Sequence, residues 1–149
     1  MSDSIKKQIC AELLDLLTPL KTAGTIRELV RVSDLTALAI KFPSVQMEIG
    51  PESPMEGDYE DNIGYQLQFP VHFKFTVANY RDKAGELEDL VSAAQVLIEA
   101  DSTLDALANW LKYTGDAPFI HNVTDPVGGT VITYLVRYRR KKAAPTENY

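Results

Sequence analysis

The side chains best equipped for chemistry fall into two opposed charge clusters. Between Gly50 and Asn62 the chain carries Glu52, Glu56, Asp58, Glu60 and Asp61. Between Arg137 and Lys142 it carries Arg137, Arg139, Arg140, Lys141 and Lys142. Close-set carboxylates can hold calcium or trade protons. The acidic stretch lacks the alternating Asp/Asn ligands and closing Glu of an EF-hand, and Pro51 and Pro54 impose a different geometry. Nothing in the sequence sets one of these carboxylates in an apolar pocket. The stretch therefore reads as a solvated loop. The basic run is the one place where phosphate or an acidic protein surface would be welcome.

The remaining candidates lead to no reaction. His72 and His121 fall in separate strand patterns with no metal-ligand spacing around either. The single cysteine, Cys10, has no partner for an intramolecular disulfide and sits on an apolar helical stripe, where it reads as a small core residue. Ser102 and Thr103 read as helix caps rather than nucleophiles. Glycine-rich phosphate loops and dinucleotide fingerprints are absent from the sequence. The expectation is a protein that is not an enzyme and carries no cofactor or metal.

Charge distribution narrows the partners. The net charge is -6, yet five of the 15 basic residues lie between Arg137 and Lys142, so the remainder holds 10 basic and 21 acidic residues. Most of the surface should repel nucleic acid. At 149 residues and 45% hydrophobic content the chain suits one domain with its own core. The N-terminal residues carry no apolar signal segment and no run reaches membrane-spanning length, which predicts a cytosolic protein with no membrane contact.

The elements that position these residues follow from periodicity. Ile5, Ile9, Leu13, Leu16, Leu17 and Leu20 form a helical stripe over Ser2–Leu20, with Ser2 or Asp3 as cap and Pro19 limiting its extension. Thr25–Val32 and Ser44–Ile49 read as strands, while 33–42 is ambiguous between a helical turn and an edge strand. Tyr65–Ala78 alternates most clearly, with Tyr65, Leu67, Phe69, Val71, Phe73, Phe75 and Val77 on one face. Pro70 on the opposite face argues for an edge position or a bulge. Leu87, Leu90, Val91, Ala94, Leu97 and Ile98 mark a second helix. Leu104, Leu107, Ala108 and Leu111 suggest a shorter helical run, followed by a turn at Tyr113–Asp116 and a strand at Phe119–Val123. Gly128-Gly129 reads as a turn into the final strand, Thr130–Arg140, which sets Ile132, Tyr134, Val136 and Tyr138 on one face. The pattern is one α+β domain over residues 1–142, with a polar tail at 143–149 that is disordered by default.

Three stretches, Phe42–Glu52, Asp101-Ser102-Thr103-Leu104 and Thr130–Arg139, carry a resemblance. In their order the chain resembles the tail terminator (tail-completion) proteins of tailed bacteriophages, the small ring-forming proteins that cap the tail tube at the neck. The resemblance spans most of the chain through short motifs. Asp105-Ala106 stands where those proteins often have small glycines, and the run to Trp110 looks more helical than is usual among them.

The resemblance implies an α+β fold with a mostly antiparallel sheet and two main helices packed on one face. It implies a structural virion protein, assembled in the host cytoplasm. Six copies would form a ring on the tail tube protein and dock to the head-completion (neck) protein, with DNA passing through the lumen only as cargo. In that setting the acidic loop would reach a neighbouring subunit or the tube. The basic run, Arg137 to Lys142, would pair with an acidic surface of a neighbour. Another head–tail connector component, an adaptor or stopper, is the alternative within the virion. A small-ligand binding module is the alternative outside it, and it predicts an enclosed apolar pocket.

Overall fold

The computed structural model describes residues 4–36, 41–55, 64–120 and 126–148. The order of elements is α1 (Ile5–Thr22), β1 (Glu28–Arg31), β2 (Ser44–Ile49), β3 (Ser53–Pro54), β4 (Gly64–Ala78), α2 (Ala84–Glu99), β5 (Trp110–Ile120) and β6 (Val127–Lys141). The strands form one sheet in the order β1-β2-β4-β6-β5, with β3 joined to β4 beyond the end of β2. Only β1 and β2 run parallel; every other pairing is antiparallel. The fold is α+β with a mostly antiparallel sheet and both helices on one face.

The two longest alternating runs of the sequence form the centre. β4 and β6 pair along their whole length, from Gly64 opposite Lys141 to Ala78 opposite Val127. Opposed residues share a face, so the apolar rows of both strands face the helices. Phe69, Val71, Phe73, Phe75, Ile132, Tyr134 and Val136 are all fully buried there. Each such side chain contributes about 1.5–3 kcal/mol relative to exposure. The rings of Phe69 and Tyr138 meet edge-on at 5.8 Å, and those of Phe73 and Tyr134 at 6.1 Å. α1 closes the core with Ile5, Ile9, Cys10, Leu13, Leu17 and Leu20, and α2 with Leu87, Leu90, Ala94 and Ile98. Ser4, rather than Ser2 or Asp3, caps α1 by accepting from the Lys7 amide at 3.2 Å. The helix runs past Pro19 to Thr22.

Pro70 lies inside a central strand, not at an edge. Its carbonyl accepts from the Gly50 amide at 2.8 Å, so its nitrogen points to the same side of β4. On that side β2 has ended opposite Val71 and β3 begins only opposite Gln68. The missing donor falls in the gap between the two partner strands, which is why a central proline is tolerated.

Residues 101–129 depart most from the sequence reading. Leu104 is buried as expected, but 104–111 is not helical. The Asp101 carboxylate accepts from the Thr103 amide and hydroxyl at 3.0 and 2.8 Å and from the Asp105 amide at 2.7 Å. A side chain that takes up backbone donors in this way competes with a helix, and Leu104, Asp105 and Ala106 instead turn through φ of 49°, 59° and 62°. Tyr113–Asp116 is not a turn. It belongs to β5, with the register shifting at a bulge between Tyr113 and Gly115. The strand expected at Phe119–Val123 is the end of β5 at Phe119 and Ile120; residues 121–123 lie outside the described ones. Gly128 and Gly129 are strand residues. A Cβ on Gly129 would run into the Phe75 carbonyl oxygen, and one on Gly128 would meet the Phe119 carbonyl at 2.7 Å. Close approach of neighbouring backbones, not a turn, requires glycine there. The polar tail folds back on its own chain, with the Ile5 amide donating to the Pro145 carbonyl at 2.9 Å and Lys141 paired with Glu147 at 2.9 Å.

Candidate interaction surface

The sheet is covered by helices on one side only. Its other face, called the open face below, is built from the alternate residues of β4, β5 and β6. Cross-strand register sets Pro70, Leu135 and Lys112 in one row and Gln68, Arg137 and Trp110 in the next; Arg139 follows, opposite Gln66. Arg137 stacks its guanidinium over the Trp110 ring at 4.0 Å and reaches Gln68 Oε1 with Nε at 3.4 Å. A planar cation held flat on an indole is stiff and presents its edge outward. Trp and Arg are also the residues that most often anchor protein interfaces.

The alternation that builds this face divides the basic run. Arg137, Arg139 and Lys141 lie on the open face, whereas Arg140 and Lys142 lie on the helix side, 4.9 and 5.6 Å from the Tyr65 ring. The five cations are therefore not one patch. Of the acidic loop, Glu52 accepts a hydrogen bond from the Tyr138 hydroxyl. Burial and the neighbouring Glu52 carboxylate push that hydroxyl well above the usual tyrosine range. Gly50–Met55 is held on β4 of its own chain through Gly50, β3 and the Met55 amide, which donates to Gln66 at 3.2 Å. Glu56, Asp58, Glu60 and Asp61 lie outside the described residues. The chain re-enters at Gly64, opposite Lys141 at the basic end of β6, whereas the Met55 end lies across β4 from that strand.

The other polar candidates have structural partners. His72 Nδ1 lies 2.9 Å from Thr133 Oγ1 and opposite Glu48, a cross-strand row of the kind that fixes register. Cys10 is buried, and burial raises its thiol above the ordinary range, which disfavours a thiolate. The Thr103 hydroxyl donates to Asp101. Among the described residues, no three His, Cys, Asp or Glu side chains converge on a possible metal position.

Two features of this surface escaped the sequence reading. The helical spacing of 104–111 gives Trp110 no sheet face, and no strand pattern marks Lys112. The second feature is the outer side of α2. From Ala84 to Asn109 the chain has six acidic residues and no basic one, and Glu86, Glu88, Asp89 and Glu99 are all exposed on the helix. Among them Val96 stands 70% exposed. Between α2 and β5 runs an open trough of about 470 Å³ lined by Leu87, Val91, Tyr113, Pro118 and Ile132. Among the described residues the helix layer stops short of β5, so this strand has an uncovered inner side as well as an unpaired edge. Neither a protein-family model nor a curated protein sequence matches this chain.

Proposed function

We propose that this protein is a structural component of a tailed-phage neck: a terminator whose copies, six by the resemblance, form a ring on the tail tube and receive the head-completion protein. The observation that carries this reading is the backbone at Leu104–Ala106. The resembled proteins often have glycines at the positions of Asp105 and Ala106, and here those two residues adopt φ of 59° and 62°, a region that glycine enters at little cost. The departure in sequence thus sits on a backbone shape that glycine would favour.

The exposed parts of the sheet support an assembling protein. β5 is an 11-residue edge strand with Tyr113 and Ile120 exposed, and the open face carries a Trp–Arg stack. Surfaces of this kind are normally covered by a partner. Among the described residues the trough beside α2 is only partly enclosed and has a mixed polar and apolar lining, which fits a protein contact better than the enclosed apolar pocket of a small-molecule binder.

Native mass across a concentration series tests the reading. A closed ring near six subunits, or a ring formed on added tail tubes, is the expected outcome. A chain that stays monomeric at all concentrations and ignores tail tubes would overturn it.

A further inference from the structure

Resting on the ring reading, we infer that the subunits associate head to tail, with the acidic outer side of α2 on one copy seated on the open sheet face of the next. The argument begins with charge. Lys112, Arg137, Arg139 and Lys141 share the open face, while the exposed side of α2 carries Glu86, Glu88 and Asp89. The two surfaces lie on opposite sides of one molecule, because α2 packs on the face of the sheet away from these cations. Two complementary surfaces on opposite sides cannot satisfy each other within one copy. They also cannot form a two-fold interface, which would pair both patches at once and so needs them on one continuous surface. They link copies head to tail, and such links close into rings when the rotation permits.

The patches also match in length and anatomy. Glu86 to Val96 spans about 15 Å of helix at 1.5 Å per residue, and Leu135 to Lys141 about 20 Å of strand at 3.3 Å per residue. Each patch has an apolar centre within a charged rim. On the helix Val96, 70% exposed, lies one turn from Ser92 and two from Asp89. On the sheet the centre is Leu135 and Trp110, half-buried among Lys112, Arg137 and Arg139. An apolar centre shielded by a charged rim is the usual form of a specific contact.

Trp110 is the only tryptophan in the chain, so its emission reports directly on this face. The test compares the full-length wild type with two variants at exposed positions, Glu88→Arg/Asp89→Arg on α2 and Lys112→Glu/Arg139→Glu on the sheet. Circular dichroism and thermal melts establish that each is folded. Sedimentation equilibrium and Trp110 emission are then read across concentration and from low to high NaCl. Wild-type assembly should shift Trp110 emission to the blue and weaken at least tenfold with salt. Each variant alone should need at least tenfold higher concentration to assemble. Mixed in equal amounts, the two should recover assembly, because each supplies the inverted surface that the other lacks, and the resulting rings should alternate and contain even numbers of subunits.

Wild-type rings with unchanged Trp110 emission, variants that assemble like wild type, or a mixture that fails to recover would each overturn this interface and leave the ring reading standing. A wild type that forms no ring, alone or on tail tubes, overturns both.

Discussion

Lys74, on the open face of β4, donates from Nζ to the carbonyl of Leu35 at 2.7 Å. The bond pins the connection between the two parallel strands, β1 and β2, across the face that carries no helix. The side chain is 4% exposed and its ammonium lies 4.9 Å from the Phe119 ring. Burial lowers its pKa from the ordinary lysine value, and Asp34 partly offsets this. A hydrogen bond from a charged donor is worth about 1.5–3 kcal/mol. Lys74→Ala should lose about 2–3 kcal/mol in urea unfolding. Lys74→Met, which keeps the apolar stem and removes the buried charge, should lose clearly less. Equal losses would assign the whole effect to the ammonium and none to the apolar stem.

The left-handed run at Leu104–Ala106 gives a stabilising substitution. Ala106 holds φ at 62° with a Cβ in place, a conformation that costs an L-residue about 1–2 kcal/mol. Ala106→Gly should raise stability by up to about 1 kcal/mol, since glycine's greater freedom in the unfolded chain offsets part of the relief. A lowered melting temperature would show that the Ala106 methyl makes contacts outweighing the strain.

Two glycines should respond in opposite directions. A Cβ at Gly129 collides with the Phe75 carbonyl of the neighbouring strand, whereas one at Gly85, in the first turn of α2, meets nothing within 4 Å. Gly129→Ala should destabilise by about 3 kcal/mol, as overpacking against backbone does. Gly85→Ala should stabilise by about 0.5–1 kcal/mol through the unfolded chain. Chemical denaturation of both variants checks the pair.

Glu12 supplies a pH signature. Burial, with Asp105, Asp15 and Asp101 nearby, raises its carboxyl above the ordinary 4.5. A group whose folded-state pKa is raised stabilises below its unfolded value, and that stability is lost as pH rises through the folded-state value. At neutral pH the ionised carboxylate is therefore a small net cost. Glu12→Gln should gain about 0.5 kcal/mol or less at pH 7, because the site is partly solvated. The gain should vanish below the 4.5 reference value. A pH-independent gain would assign the effect to packing.

Much of this architecture was legible wherever a single period ran uninterrupted. Ser44–Ile49 matches β2 end to end, the alternation from Tyr65 to Ala78 is β4 less its first residue, and the stripes of α1 and α2 bury the residues they mark except Leu16, Val91 and Leu97, which pack half-buried against the core. Legibility failed where residues serve two purposes. Leucines at 104, 107 and 111 fit helical spacing, but the Asp101 carboxylate draws the local amides away from it. Gly115, Gly128 and Gly129 look like turn formers, yet one makes a bulge and two admit a neighbouring backbone. The basic run read as one cluster because charge was counted along the chain; strand alternation sends Arg139 and Arg140 to opposite faces. Trp110, the centre of the candidate surface, was hidden by the same misread helix.

The position of β6 has a consequence for biosynthesis. Among the described strands of this domain β6 is the last to be synthesised, yet it lies between β4 and β5. Until it emerges, β5 has no strand to pair with and β4 has nothing along the whole of one edge. A nascent chain that stalls before Val127 would present Phe69, Phe73 and Phe75 on an unfinished sheet, the kind of exposed strand that chaperones hold and that aggregates form around. Completion of the sheet therefore waits until β6 has been made, and a stop codon before Val127 would leave β4 and β5 without the strand that joins them.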